Sequence, residues 1–280
     1  MNYIDAHVHV WTPDTAHYPL AAGFKKSDMK PASFTPEELF KHCKPVGVTR
    51  VNLIQMSYYG FDNKYLLDMI TMYPDSFVGT AIVDPMGGDP SAEMTQLRRD
   101  GIRAFRIYPK LGNESIENWL TPRGFAKMFD AAARNKQAMS CLIDPSALPD
   151  LDRMCRKFPD TPVIIDHLCR IGADGTIRDK DVTALTDMAR HKNVFVKIGA
   201  FYALGKKKSP YTDLADLIEK VLKAFTVKRC MWESDSPFQV SEGHKYADSI
   251  NLIKSGLKFL SDDDKDYLLR KTAEDLLFKK

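Results

Sequence analysis

The chain has 280 residues, 44% hydrophobic and 28% charged, a balance that excludes collagen-like, low-complexity and intrinsically disordered proteins. Lys and Arg number 40 against 37 Asp and Glu, and a net charge of +3 argues against a nucleic-acid-binding or membrane-surface protein. The longest apolar runs are only a few residues, whereas a membrane-spanning helix needs about 20. Five scattered cysteines without zinc-finger spacing, and no recognisable signal peptide, favour a cytoplasmic protein with reduced thiols.

Short apolar runs rich in β-branched and aromatic residues alternate with longer segments of helical periodicity along the whole chain. Most of the short runs are continuously apolar, as expected for parallel strands covered on both faces. Eight predicted strands result, and they span Tyr3–Val8, Arg50–Met56, Phe77–Val83, Ile102–Ile107, Ala138–Ile143, Pro162–Ile165, Val194–Ile198 and Arg229–Trp232.

Helix signals occupy the intervals between these strands. Thr35–Glu38 combines an N-cap, a proline at the first helical position and acidic first-turn residues, and Thr121–Pro122 repeats the first two features. A strand followed by a helix eight times over predicts a (β/α)₈ TIM barrel, an α/β fold of usually about 250 residues. We expect one such domain over residues 1–280. A doubly wound open sheet is the alternative, but no glycine-rich phosphate turn follows the first strand.

In a barrel, functional side chains lie at the carboxyl ends of the strands, and the first strand ends with two histidines. His7 and His9 are two residues apart, so in a strand they point to the same face. Two imidazoles placed in this way can hold one divalent cation. The alternative is that one or both are hydrogen-bonded core residues.

Two further strands end in ionisable residues. His167 follows the apolar end of strand six and is a candidate metal ligand, general base or carbonyl polariser; a hydrogen bond to a loop carbonyl is its structural alternative. Asp235 follows strand eight and is a candidate for metal binding and for deprotonating a bound water. An Asx-turn or helix N-cap before Pro237 is the competing interpretation of Asp235.

Four other residues are predicted to contact substrate at the same end of the barrel. Arg106 ends strand four and is suited to clamping a carboxylate or an oxyanion. Lys197 lies on strand seven, and Tyr202 follows it. Glu233 precedes Asp235 by two residues and shares its predicted face.

These residues resemble the amidohydrolase superfamily, and within it the amidohydrolase 2 branch that includes sugar-acid lactonases and 2-pyrone-4,6-dicarboxylate lactonase. The opening Ile4–Trp11, with its His-x-His, carries the first part of the resemblance. His-x-His alone is a weak signal, but the ordered set of stretches is specific and spans nearly the whole chain. The further stretches are Tyr58–Asn63, Gly101–Arg106, Asp166–Arg170 and Ser234–Pro237.

The resemblance implies a TIM-barrel hydrolase in which His7, His9 and Asp235 bind a metal or the substrate, Asp235 activates water and His167 assists at the carbonyl. Metal-rich relatives carry a histidine at the end of strand five, where this chain has none, and binuclear ones a bridging Lys or Glu on strand four. One divalent cation, zinc first among the candidates, is therefore implied at most, and metal-independent hydrolysis stays open. Glu233 stands where a glycine is expected, as an extra ligand or a substrate contact.

A lactonase acting on a sugar-acid or carboxylated lactone is the function that the resemblance favours, with Arg106 orienting an anionic group of the small-molecule substrate. The first alternative is a decarboxylase of the same superfamily, which normally needs a firmly bound metal. The second is a barrel that binds a small molecule without catalysis. The oligomeric state is not fixed by the sequence, with which a homo-oligomer is compatible.

Overall fold

Eight parallel strands follow one another around one sheet in chain order, which confirms the predicted (β/α)₈ barrel. The computed structural model describes residues 2–109 and 118–279, and Met1, residues 110–117 and Lys280 of the predicted 1–280 domain lie outside it. The strands are β1 Tyr3–Val8, β2 Val48–Ile54, β3 Phe77–Ala81, β4 Ile102–Ile107, β5 Ala138–Cys141, β6 Val163–Ile165, β7 Val194–Ile198 and β8 Cys230–Trp232.

Helices cover the outside of the sheet between the strands. Asp89 caps the amino-terminal end of one of them, because its carboxylate accepts hydrogen bonds from the Ser91 and Ala92 amides. Within the described residues the α-helices are α1 Pro36–Cys43, α2 Lys64–Met72, α3 Pro90–Arg99, α4 Arg123–Asn135, α5 Leu148–Lys157, α6 Asp179–Asp187, α7 Ala215–Phe225, α8 Tyr246–Asn251 and α9 Asp262–Asp266. None of these helices is long and apolar enough to cross a membrane.

The barrel interior changes from apolar to polar along the strands. Ile4, Ala104, Ala138, Ile164 and Met231 form an apolar cluster inside the sheet. Ala273 and Leu277, in the helical segment that continues from α9, pack against this cluster and cover the amino-terminal end of the barrel. Two residues further along four of these strands the inward side chain is polar, at positions 106, 140, 166 and 233.

The first and last strands close the barrel through residues at their carboxyl ends. The His9 amide donates to the Ser236 carbonyl at 2.8 Å, and the Asp235 amide donates to the His7 carbonyl at 3.0 Å. Asp5 strengthens this closure, because its Oδ1 accepts the amides of His7 at 3.1 Å and Ser234 at 2.9 Å. Closure therefore places the side chains after β1 and β8 beside one another.

Candidate active site

His7, His9 and Asp235 meet at the carboxyl end of the barrel. The two imidazole Nε2 atoms are 3.2 Å apart, and Asp235 Oδ1 lies 3.6 Å from that of His7 and 3.5 Å from that of His9. All three side chains are buried, and Asp235 Oδ1 has no hydrogen-bond partner. A buried carboxylate oxygen without a partner is costly unless a ligand completes its contacts.

The protonation of His9 follows from its surroundings. Its Nδ1 lies 3.0 Å from the carbonyl oxygen of Ile54, which can only accept, so Nδ1 carries the proton and Nε2 has a free lone pair. Burial lowers the pKa of His9, and it also lowers that of His7 well below its usual range, helped by the charges of Lys197 and His167. Both rings are therefore neutral; on His7 the Lys197 ammonium can only donate to Nδ1, so Nε2 would have to give up its proton to bind a metal.

These three residues fit one divalent cation. With zinc–nitrogen bonds of about 2.0–2.1 Å, tetrahedral ligand atoms lie about 3.3–3.4 Å from one another, close to the spacings found here. A second grouping of possible ligands overlaps this one, since one donor atom each of His7, His167, Glu233 and Asp235 lies within 4.8 Å of the others. Arg106 Nη1 donates to His9 Nε2 at 3.2 Å, so a bound cation would compete with this guanidinium for the lone pair.

His167 faces the cavity and is hydrogen-bonded from behind by Glu233. Its Nδ1 lies 2.7 Å from Glu233 Oε1, and its Nε2 lies 3.9 Å from Asp235 Oδ2. Burial works against the imidazolium, but the Glu233 and Asp235 carboxylates outweigh it and raise the pKa of His167. Burial likewise raises the pKa of Glu233 to about 7, against the opposing effect of His167. The two groups thus hold a proton between them.

Asp235 stays ionised. Burial would raise its pKa, but the charge of His167 and the adjacent His9 imidazole, whose Nε2 lies 3.5 Å from Oδ1, outweigh burial and hold the pKa well below the usual range. The Tyr202 hydroxyl donates to Asp235 Oδ2 at 2.6 Å, and burial together with the neighbouring carboxylate raises the pKa of this phenol, which remains protonated. One carboxylate oxygen is therefore held, while the other is free to take a proton.

Lys197 lies beneath His7, with no solvent exposure. Its Nζ is 2.9 Å from Asp166 Oδ1, 3.1 Å from His7 Nδ1 and 3.4 Å from Ser140 Oγ. The Ser140 hydroxyl also donates to Asp166 Oδ1, at 2.9 Å. The ammonium and the carboxylate neutralise each other and support the His7 ring from below.

A cavity of about 810 Å³ opens above this cluster. Of the predicted site residues, Arg106 and Tyr202 line it together with His9, His167 and Asp235. Its wall also includes Phe24, Gln55, Met56, Ile82, Tyr108, Leu142, Arg170, Lys207 and Phe238. Lys197 and Glu233, predicted to contact substrate, lie behind this wall with no exposure, because inward side chains of a barrel stack in layers and these two belong to the layer below.

Several residues that shape the site were not predicted from the sequence. Asp5 holds the β1–β8 closure, and Tyr246 donates to its Oδ2 at 2.6 Å. Asp166 pairs with Lys197. Nothing local in the sequence indicates the partners Tyr246 and Lys197, which come from a distant helix and a distant strand.

Family comparison agrees with this geometry, since the profile of the family described as amidohydrolase matches residues 4–279. The chain belongs to the amidohydrolase family. Membership of this family makes it an enzyme, a hydrolase, and the family's common use of divalent metals accords with the cluster of histidines and carboxylates at the barrel mouth.

Characterised relatives of this amidohydrolase include lactone hydrolases. An L-fucono-1,5-lactonase of Burkholderia ambifaria is 27% identical over 249 residues, which cover 86% of this chain and 82% of the relative. A 4-sulfomuconolactone hydrolase of Rhizobium radiobacter is 24% identical over 235 residues, covering 83% and 75%. In fold, the chain is similar to an amidohydrolase of Burkholderia multivorans solved with bound zinc, with a TM-score of 0.85 at 18% identity and full coverage of both chains.

Proposed function

We propose that this amidohydrolase is a lactonase that opens a carboxylated or sugar-acid lactone. The observation that carries the proposal is the ionised carboxylate of Asp235 at the cavity floor, with Oδ2 held by Tyr202 and Oδ1 unpartnered between two neutral imidazoles. The names of two relatives from different lactone classes support the same reaction.

In this proposal Asp235 takes a proton from a water molecule, whose oxygen bonds to the lactone carbonyl carbon. Negative charge develops on the carbonyl oxygen, where the proton held by His167 stabilises it, while Arg106 orients the anionic group of the substrate. Collapse of the tetrahedral intermediate breaks the ring carbon–oxygen bond, and the leaving alkoxide takes a proton from His167. The product is the open hydroxy acid.

His7, His9 and Asp235 are the residues that would hold a divalent cation, zinc first among the candidates. When bound, such a cation supplies Lewis-acid polarisation of an oxygen at this position. The neutral rings and the unpartnered Asp235 oxygen support this ligand set.

The substrate is a small molecule, and we propose that it is anionic. Arg106 supports this, because it is 8% exposed at the cavity floor and its Nε is buried without a hydrogen-bond partner. Arg170 and Lys207 add positive charge to the wall. The expected cytoplasmic location is supported by the five cysteines, which are free and buried thiols.

A lactone panel tests the proposal. Aldonolactones and carboxylated unsaturated lactones are incubated with the protein as purified and after chelation, acid release is followed with a pH indicator, and metal content is measured on the same samples. Hydrolysis of at least one class well above the rate of an Asp235→Asn variant is expected. Turnover of no lactone, or release of carbon dioxide from a carboxylated substrate instead of ring opening, would overturn the proposal.

A further inference from the structure

Glu233 is a buried carboxylate with no place in the reaction steps above. It follows β8 at a position where the resemblance leads us to expect glycine, and its side chain has no solvent exposure. It does not line the cavity, so it cannot touch substrate there. Burying a carboxylate costs free energy unless specific partners compensate, so its presence calls for a function.

Its principal partner is His167. Glu233 Oε1 accepts from His167 Nδ1 at 2.7 Å, within the range of a charge-assisted hydrogen bond. Its other oxygen, Oε2, has no hydrogen-bond partner and lies 3.9 Å from His7 Nδ1. One oxygen of this carboxylate thus accepts a hydrogen bond from the imidazole of His167, and the other accepts none.

The neighbouring strand provides the space for this side chain. A Cβ placed on Gly199, just after β7, would lie 2.1 Å from the Glu233 carbonyl oxygen, 2.5 Å from its Cγ and 2.7 Å from its Cδ. Any side chain at position 199 would therefore collide with Glu233. The glycine after one strand and the glutamate after the next form a matched pair.

The backbone conformation at His167 does not by itself fix the orientation of its ring. Residues 167 to 170 all have φ between 51° and 56°, so His167 enters the cavity from a left-handed turn and not from a regular strand. Its ring lies 4.6 Å from that of His7, and its Nε2 lies 3.9 Å from Asp235 Oδ2. Without an acceptor at Nδ1, rotation about the Cβ–Cγ bond could replace Nε2 with the ring carbon Cε1 at the position that faces the carbonyl.

We propose that Glu233 is a positioning residue that holds the imidazole of His167 with Nε2 toward the substrate, in the space that Gly199 leaves free. Glu233 acts through His167 and touches neither substrate nor the reacting atoms. This inference rests on the proposed lactonase function for its kinetic consequence, but the hydrogen bond itself can be tested without any substrate.

The kinetic test compares three variants on the best lactone of the panel. Loss of an outer partner of a site histidine typically costs 10–100-fold, so Glu233→Ala is expected to lower kcat by about that factor while KM changes little. Glu233→Gln keeps an oxygen that can accept from Nδ1 and should recover most of kcat. The matched control Glu93→Ala, exposed on α3, should behave as wild type.

Wild-type kcat in a folded Glu233→Ala protein would overturn the inference. So would an equal loss in Glu233→Gln and Glu233→Ala, because the negative charge and not the orientation of the ring would then be responsible. A split in which only KM rises would place Glu233 in substrate binding and would overturn it as well.

An NMR measurement tests the hydrogen bond between Glu233 and His167 independently of activity. Proton–nitrogen NMR of ¹⁵N-histidine-labelled protein, assigned with a His167→Gln variant, should show a hydrogen-bonded Nδ1–H signal of His167 that is lost in Glu233→Ala and kept in Glu93→Ala. If no lactone is turned over, the proposed function fails while this signal still decides the inference. If Glu233→Ala does not fold, the His167 signal in Glu233→Gln tests the inference instead. Replacing the carboxylate with a neutral amide acceptor must change the chemical shift of the His167 Nδ1–H. An unchanged His167 signal in the folded Glu233 variants would overturn the inference.

Discussion

Three buried carboxylates lie in the polar layer of the barrel, and each has a different partner. Asp166 pairs with Lys197 at 2.9 Å, and Glu233 with His167 at 2.7 Å. Asp235 has only the neutral phenol of Tyr202 within hydrogen-bond distance and lies at the cavity. The two paired groups support the imidazoles from behind, which leaves Asp235 as the carboxylate able to accept a proton from water.

Asp235 is the proposed acceptor of the proton from water, and its replacement tests that role. Asparagine keeps the shape and volume of the side chain but cannot accept the proton, so Asp235→Asn should lower kcat for lactone hydrolysis by about 10²–10⁴-fold. Its melting temperature should stay near that of wild type, measured by differential scanning fluorimetry. Asp216→Asn, exposed on α7, is the matched control. A folded Asp235→Asn protein with most of its activity would mean that Asp235 only caps the turn before Pro237.

Arg106 allows a second prediction at this scale. Its guanidinium lies at the cavity and carries an unpartnered Nε, so it is placed to bind an anionic group in both ground and transition states. Arg106→Ala should therefore raise KM for an anionic lactone more than it lowers kcat, in steady-state kinetics against the exposed control Arg99→Ala. The opposite pattern, a fall in kcat with KM unchanged, would assign Arg106 to transition-state stabilisation.

At the scale of elements, the join between β1 and β8 determines whether the site exists. The Asp5 carboxylate accepts two backbone amides and the Tyr246 hydroxyl, all of them buried. Removing it leaves those donors unsatisfied, at about 1–3 kcal/mol each. We expect Asp5→Ala to lower the free energy of unfolding by about 3 kcal/mol or more in urea titrations.

Asparagine at position 5 distinguishes the contribution of the hydrogen bonds to stability from that of side-chain volume. Asp5→Asn keeps one acceptor oxygen, so it should lose clearly less stability than Asp5→Ala. If the two variants were equally stable, the amide contacts would contribute nothing, and closure would rest on the backbone bonds of His9 and Asp235 alone.

A second element-scale prediction concerns Asp152 on α5. Burial would raise its pKa, but hydrogen bonds from His191, Arg190 and Arg156 outweigh it and lower the pKa to about 2. Because the folded pKa lies below the unfolded value of 3.8, the stabilisation is present above about pH 4 and is lost as the pH falls toward 2. The difference corresponds to about 2 kcal/mol at most.

The measurement is urea unfolding of wild type and Asp152→Asn at several pH values. The variant should be less stable by up to about 2 kcal/mol at pH 7, and the gap should narrow between pH 4 and pH 2. Asp179→Asn, whose side chain is 92% exposed, should show no comparable gap. A gap that stays constant with pH would show that the carboxylate charge is not its source.

At the scale of the whole molecule, the fold was largely predictable and the site only partly. Eight strand–helix alternations determine a barrel, and the two-residue period brings His7 and His9 together. β2 runs over Val48–Ile54 and not over the predicted Arg50–Met56, because buried Val48 already pairs with Tyr3. Such pairing depends on a strand distant in sequence, which local patterns do not encode.

The depth at which a side chain ends inside the barrel could not be predicted from the sequence either. Alternation correctly makes Lys197 point inward but does not say in which layer its amine ends. The partner of Glu233 is likewise set by contact between β6 and β8 residues across the barrel. That residues 1–280 act as one domain, and that the named side chains have the proposed roles, remain predictions.

Metal content is the prediction for the molecule as a whole. The possible ligands found among the described residues form one cluster, around His7 and Asp235, and β5 ends in Ser140 and Cys141 where a second ion would need a histidine. Elemental analysis should therefore find at most one divalent ion per chain. Prolonged chelation should remove it without loss of the circular dichroism of the barrel, since the core does not depend on it. Two tightly held ions per chain would contradict this interpretation of β4 and β5.

Because β1 and β8 are joined at the site, its residues are synthesised at very different times. The Asp5 carboxylate binds the Ser234 amide 229 positions later in the chain, and His7 meets Asp235 at the same seam. During synthesis His7 and His9 are therefore made long before the carboxylate of Asp235. A chain that stalls before β8 lacks the proposed general base, so under this proposal hydrolytic activity reports only on chains completed through the eighth strand.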